Sequence, residues 1–282
     1  MKSKNMKKQV LLCVVALLCT LSCGENIEEK AQALLNEAQT AYESKDYNCA
    51  KLLLDSLKST YPKAFDARRA ALKLGREVEL GEQQRSVEFL DSSLTVQYAL
   101  RDSLLPQFVL EKDRKYQDVG NYMAPSQTVK NNLGNTYLRA QVDENGVTTI
   151  TSVYRGKAIG HTTVKVSSGD NYAECDAPFS KYNSKHLGVT TERVDYRYGE
   201  DSGLIDFIVN CESDIKVELS GNKSYNYNLR KSDVQAIKAV FKLSRILQNI
   251  TTMKEMRDEA VRHIEFVEKT REKFENTSDT EK

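Results

Sequence analysis

Histidines, cysteines, clustered carboxylates and tyrosines are the side chains here that can do chemistry, and their spacing limits what that chemistry is. His161, His186 and His263 lie far apart. A zinc site of the finger kind needs His or Cys ligands a few residues from one another, and no such pair occurs. All three are expected at the surface, the first two in a β segment and the third on the exposed side of a helix. The glycine loop that cradles phosphates is absent, as is the Gly-x-Ser-x-Gly turn of many serine hydrolases. Gly199-Glu200-Asp201-Ser202-Gly203, with Asp206 nearby, can crowd carboxylates around a calcium ion. It lacks the ligand ladder of an EF-hand, so an ordinary acidic loop is the plainer reading. Glu174 and Asp176 have the form of a catalytic acid pair, but among 40 acidic residues such pairs arise by chance. The expectation is no catalytic residue, no metal and no cofactor: a protein that is not an enzyme.

Tyr196, Tyr198, Tyr225 and Tyr227 carry more weight. Exposed on one face they form a recognition surface, since tyrosine gives contact area at low entropic cost. Turned inward they are cross-strand core pairs, the reading that alternation along the strands favours. The chain has no Trp and 14 Tyr, so a sugar platform would have to be built on tyrosine.

The N-terminus, MKSKNMKKQVLLCVVALLCTLSCG, has four lysines, an apolar run and small residues before Cys23. That is the pattern of an export signal over residues 1–22. The apolar run is about a dozen residues, short of the roughly 20 needed to cross a bilayer as a helix. Leu21-Ser22-Cys23 resembles the lipobox of bacterial lipoproteins, with Thr20 where that pattern usually has Leu. The resemblance implies acylation at Cys23, which becomes the first mature residue, and lipid anchoring in the cell envelope at the outer membrane. Of the cysteines that follow, Cys49 suits a small buried position in a helix, and Cys175 with Cys211 is the plausible disulfide pair in an oxidising compartment.

Net charge is +1 for the whole chain and −3 without the first 22 residues, which carry four lysines and no acid. That balance argues against a nucleic-acid binder, which relies on clustered cations. With 40% hydrophobic and 29% charged residues the chain is globular.

From Glu28, apolar residues recur three and four apart through Ala31, Leu35, Ala38 and Tyr42, and again through Tyr47, Ala50, Leu54 and Leu57. Pro62 closes the second run. Ala38, Tyr47, Ala50, Leu54 and Pro62 resemble the signature of a tetratricopeptide repeat, over Glu28 to about Leu74 only. Lys45-Asp46-Tyr47 and Tyr61-Pro62 look like the repeats of outer-membrane assembly lipoproteins. One repeat further on, Gln84 stands where Ala50 would recur, and a lone repeat cannot build the concave groove of an array.

Helical spacing resumes from Lys63, with Gly75 and Gly81 as weak points where a kink is expected, and returns after Ser232-Asp233, a good N-cap. Between these helices the period changes to alternation. Val194, Tyr196 and Tyr198 interleave with Arg193, Asp195 and Arg197; Ile215, Val217 and Leu219 form a second strand face, and Ile205, Phe207, Val209 and Cys211 a third. Asp143-Glu144-Asn145-Gly146, Ser167-Ser168-Gly169-Asp170 and Gly221-Asn222 read as turns.

The expected fold is α+β, with an N-terminal helical hairpin (residues 23–62) and a long antiparallel helix pair, a coiled coil, from residues 63–115 and 232–275. A β-sheet or sandwich of seven or eight strands (116–231) is inserted between them, and a polar tail (276–282) follows. The expected function is a non-enzymatic outer-membrane lipoprotein that displays a β module for interaction. An accessory role in outer-membrane protein assembly, or ligand or glycan binding, is the alternative. Expected partners are the membrane, through the N-terminal lipid, and another envelope protein; the helices offer a route to a homodimer.

Overall fold

The computed structural model describes residues 22–280, with side chains described from 27 to 273. Residues 1–21 of the expected signal segment, the Cys23 side chain and the side chains of the expected polar tail lie outside the described part. The fold is α+β. Two compact units divide it: one holds the chain up to Asp91 together with Met256 onward, and the other is Ser92–Glu255.

The helical unit begins with α1 (Ser22–Glu43) and α2 (Tyr47–Thr60). The link between them turns at Lys45, in the left-handed region at φ 60°. Asp46 then caps α2, its carboxylate accepting from the Cys49 N–H at 3.0 Å. Ala38 and Ala50 are fully buried where the two helices meet, and Leu35, Leu57, Leu74 and Val78 fill the space around them. Small residues let the backbones approach; larger ones there would hold them apart.

Helix α3 (Phe65–Leu104) runs unbroken through Gly75 and Gly81. The helix is not interrupted at either glycine, and Gly81 has a packing reason. A Cβ there would sit 2.8 Å from the Tyr47 ring. The helix expected to reach residue 115 stops at Leu104, because Pro106 cannot continue it; a 3₁₀ turn, Leu105–Gln107, takes its place. The final helix, α5 (Lys231–Thr280), is also continuous. In the helical unit α3 and α5 run in opposite directions, joined by Glu77–Arg271 (3.4 Å) and Asp91–Arg257 (2.5 Å). These exposed pairs add little to stability but show the antiparallel register of the two helices.

The β unit has ten strands, all paired antiparallel. They are β1 (Val109–Glu111), β2 (Asn121–Met123), β3 (Tyr137–Asp143), β4 (Thr148–Gly156), β5 (Thr163–Ser168), β6 (Asn171–Cys175), β7 (Ser180–His186), β8 (Val189–Arg197), β9 (Lys216–Ser220) and β10 (Ser224–Asn228). One sheet has the order β1-β2-β3-β4-β8-β7 and the other β10-β9-β5-β6. Hairpins turn at the three places the sequence marks. At the first, the Asp143 carboxylate accepts from the N–H groups of Asn145 and Val147, while Gly146 adopts φ 93°. Ser244 and Gln248 of α5 then donate to the Gly146 carbonyl, docking the turn on the helix.

Leu138, Ala140, Ile150, Val194 and Tyr196 of the six-stranded sheet meet Val164, Val166, Val217 and Leu219 of the other in one core. Ile237, Val240 and Leu243 of α5 join them. Because side chains alternate along a strand, a slip of one residue would turn this whole set to solvent.

Residues 205–211 are not a strand, as the alternation suggested, but the end of a short helix, α4 (Leu204–Asn210) with its C-cap Cys211. Leu204, Ile205 and Ile208 are its buried positions, spaced as i, i+1 and i+4, so the helical period wins over the period of two. Gly203 at φ 80° supplies the entry, and the Asp201 carboxylate accepts from the Ile205 N–H at 2.8 Å. Tertiary context decides short apolar runs of this kind.

A Gly→Ala change in a helix interior ordinarily stabilises by about 1 kcal/mol. Gly81→Ala should lose that gain and destabilise the chain, because the Tyr47 ring must move. In a Tyr47→Ala background the same change should regain roughly 1 kcal/mol. A thermodynamic double-mutant cycle by urea unfolding reads the difference, and additive effects would refute the contact.

Candidate functional site

The inward face of the six-stranded sheet carries one polar constellation that the sequence did not reveal. Ser152 on β4, His161 in the β4–β5 connection and Glu192 on β8 are all buried. Ser152 Oγ lies 3.1 Å from His161 Nε2, and His161 Nδ1 lies 2.8 Å from the Glu192 carboxylate. Glu192 also accepts the backbone N–H groups of Ile159 (2.8 Å), Gly160 (2.8 Å) and His161 (2.9 Å). A carboxylate can only accept, so Nδ1 carries the imidazole proton and Nε2 accepts from the serine hydroxyl.

Ser, His and an acid in this order make the relay of serine hydrolases, in which the serine must meet a substrate carbonyl beside oxyanion-stabilising donors. Here Ser152 has zero exposure, and the donors at hand are already spent on Glu192. The geometry is that of a clamp. Glu192 closes the connection that leads from one sheet to the other, and His161 ties that connection to β4. Burial pulls the His161 pKa below 6.5, outweighing the neighbouring carboxylate. Burial acts to raise Glu192, but the Gly160, His161 and Ile159 N–H donors and the imidazole together hold it below 4.5.

The expected surface placement therefore fails for His161. His186 is exposed, and His263 is exposed 3.9 Å from Glu79. The four tyrosines do not form one surface. Tyr196 is buried in the core and donates to the Thr162 carbonyl at 2.7 Å. Tyr198 packs edge-on against Phe241, while Tyr225 and Tyr227 belong to the other sheet, where Tyr225 packs edge-on against Tyr154. Burial pushes the Tyr196 and Tyr227 hydroxyls well above their ordinary pKa, so both stay protonated. Cross-strand and core packing, not a shared recognition face, accounts for them.

Cys49, Cys175 and Cys211 are free thiols. The expected Cys175–Cys211 bridge is not formed: Cys175 points to the carbonyls of Ala177 and Glu200, and Cys211 to that of Ser213. The fold explains it, because Cys211 ends a helix rather than lining a strand beside Cys175. Asp201, central to the acidic loop, is committed to the start of α4, and among the described residues no cluster of His, Cys, Asp and Glu suits a metal ion. Glu174 pairs with Lys165 at 3.4 Å on the surface.

The outward face of the same sheet is different. Arg139, Thr151, Asp195 and Ser180 stand opposite one another across β3, β4, β8 and β7. Asp195 is the hub, accepting from Thr151 Oγ1 (2.6 Å), Ser180 Oγ (2.9 Å) and Arg193 Nε (3.1 Å). Arg197 lies over the Phe179 ring at 4.0 Å. Phe179 and Tyr182 are exposed, 58% and 63%, beside this polar row. Sequence alternation placed Arg193, Asp195 and Arg197 on one face; that Arg139 and Thr151 join them required the strand order.

Because the folded chain keeps His161 neutral, the unfolded chain takes up a proton first as pH falls through 6.5, and stability is lost from there until the lower folded pKa is passed. Glu192 adds a second loss below 4.5 by the same logic. Unfolding midpoints should thus fall between pH 8 and pH 5. Glu192→Gln should cost roughly 3 kcal/mol at pH 8 by leaving buried donors without a carboxylate. A midpoint unchanged by acid or by that substitution would refute the clamp.

No protein-family model, curated protein or solved structure matches this chain.

Proposed function

We propose that the chain is a non-enzymatic outer-membrane lipoprotein, acylated at Cys23, whose β unit acts as an interaction module. The observation that carries this reading is the contrast between the two faces of the six-stranded sheet. The Ser–His–Glu set is sealed in the interior, whereas the outward face offers arginines and exposed aromatic rings to solvent. Exposed rings beside polar groups suit binding. The helices α3 and α5 are read as an antiparallel coiled-coil spacer, supported by their opposed ion pairs.

A second reading, an accessory in outer-membrane protein assembly, is favoured by the helical unit. Leu54, Phe65, Leu72 and Phe266 line a groove there, with Phe65, Leu72 and Phe266 mostly exposed. It agrees with the resemblance of Ala38, Tyr47 and Ala50 to a tetratricopeptide repeat.

Cys23→Ala should move the mature protein from the membrane fraction to the soluble fraction; retention in the membrane would defeat the lipid anchor. Site-specific photo-cross-linking in whole cells separates the two readings. Adducts from Tyr182 and none from Leu72 support the β unit as the module, and a barrel protein captured at Leu72 supports the assembly role.

A further inference from the structure

We propose that the outward face of the six-stranded sheet is an anion-binding site, built for a carboxylate- or sulfate-bearing ligand whose flat side lies on Phe179 and Tyr182. This deepens the reading of the β unit as a binding module and rests on it.

The charge balance of the face comes first. Arg139, Arg193 and Arg197 share it through the cross-strand register of β3, β4 and β8. Asp195 stands among them, and its oxygens are taken by Thr151, Ser180 and Arg193. Only Arg193 is paired with that acid at hydrogen-bond distance.

The state of Arg139 comes second. It is 4% exposed, and its one side-chain partner is the neutral Gln141, which accepts from Nη2 at 3.0 Å. Its Nε and Nη1 are buried and have no partner among the described residues. Burial dominates its electrostatics and lowers its pKa, with Arg193 acting the same way and Tyr137, Glu111 and Asp195 opposing through space. Taking a guanidinium out of water without a hydrogen-bonded counter-charge is expensive, and a hydrophobic residue of the same volume is often as stable or more so. Arg197 is only partly buried, but its Nε too is buried and has no partner among the described residues. A buried cation with open donors creates a field that a desolvated anion would neutralise, and low local dielectric strengthens it.

Access comes third. Arg193 has a side chain 39% exposed, and the guanidinium of Arg197 rests on the exposed Phe179 ring. These two arginines are the groups a ligand meets, while Arg139 lies behind them as a fixed positive charge. Guanidinium groups recognise carboxylate and sulfate oxygens in paired geometry, which selects an oxyanion. Tyr182 and Phe179 are exposed rings beside these arginines, and each can offer an apolar surface to a ligand ring. An acidic saccharide has both halves, an oxyanion and a ring face of C–H groups.

The test uses the soluble mature chain with Cys23→Ser and isothermal titration with trigalacturonate, neutral galactotriose and inorganic sulfate. Trigalacturonate should bind, weaken as salt is raised, and weaken about tenfold or more in Arg193→Gln and in Arg197→Gln, the loss expected for one charge-assisted hydrogen bond. Arg139→Met should lose affinity by a comparable factor while its unfolding midpoint stays level or rises, which separates a binding role from a structural one. Galactotriose should not bind. The proposal is overturned by no binding of trigalacturonate, by equal binding of the neutral sugar, by sulfate matching the saccharide (an adventitious ion only), or by an Arg139→Met protein that unfolds more easily and binds unchanged. Cross-linked protein partners at Tyr182 with silent titrations would leave the β unit an interaction module and remove its anionic ligand.

Discussion

The β unit depends on one carboxylate placed where a carboxylate is costly. Glu192 sits in the inward phase of β8, between the core positions that Val194 and Tyr196 occupy further along the strand and the connection that leaves β4. Three backbone N–H groups and the His161 ring converge on it. Those donors would otherwise be stranded in the interior, because a loop that crosses a core has no ladder partner and no water. The acid thus solves the loop's hydrogen-bond problem, and the loop solves the acid's. Because that loop passes from the six-stranded to the four-stranded sheet, the clamp fixes where the second sheet begins. Gly160, at φ 65°, and Gly221 complete it; a Cβ on Gly221 would lie 2.0 Å from the Gly160 carbonyl oxygen.

The two faces of the six-stranded sheet then follow different rules. Inside, Ser152, His161, Glu192 and Tyr196 find strong partners, and apolar packing takes most of the remaining space. Outside, Asp195 is satisfied three times over while Arg139 and Arg197 keep unpartnered donors. A fold maximising stability alone would gain by replacing Arg139 with an apolar side chain of similar size. The proposed anion site would offset that cost.

The helical unit is built on close approach. Ala38 and Ala50 let α1 and α2 meet, and Gly81 leaves room for Tyr47 against α3. Its groove side is the reverse, with Phe65, Leu72 and Phe266 left large and exposed. Both units carry one surface settled by packing and another with large side chains left exposed, the feature on which the proposed interaction role rests.

By itself the sequence determined what depends on period and on local chemistry. The helical spacing of residues 28–104, the alternation through Val194 and Tyr196, the hairpin turns at Asp143, Gly169 and Gly221, and the separation of Arg193, Asp195 and Arg197 from the core phase were all legible, because each is written within a few neighbouring residues. Even the clamp left a trace, an acid at 192 in the inward phase of an alternating strand. The tertiary structure decided the rest. It turned Ile205, Phe207 and Val209 into a helix, since Asp201 and Gly203 supply an N-terminus that outweighs a short alternation. It parted the four tyrosines between two sheets and placed Cys211 at a helix end, away from any bridge. It brought Ser152, His161 and Glu192 together, and Arg139 beside Asp195, across separations of up to 56 residues between Arg139 and Asp195. The physical reason is common to all of these: which strands are neighbours depends on the packing of whole sheets, and no local pattern encodes it.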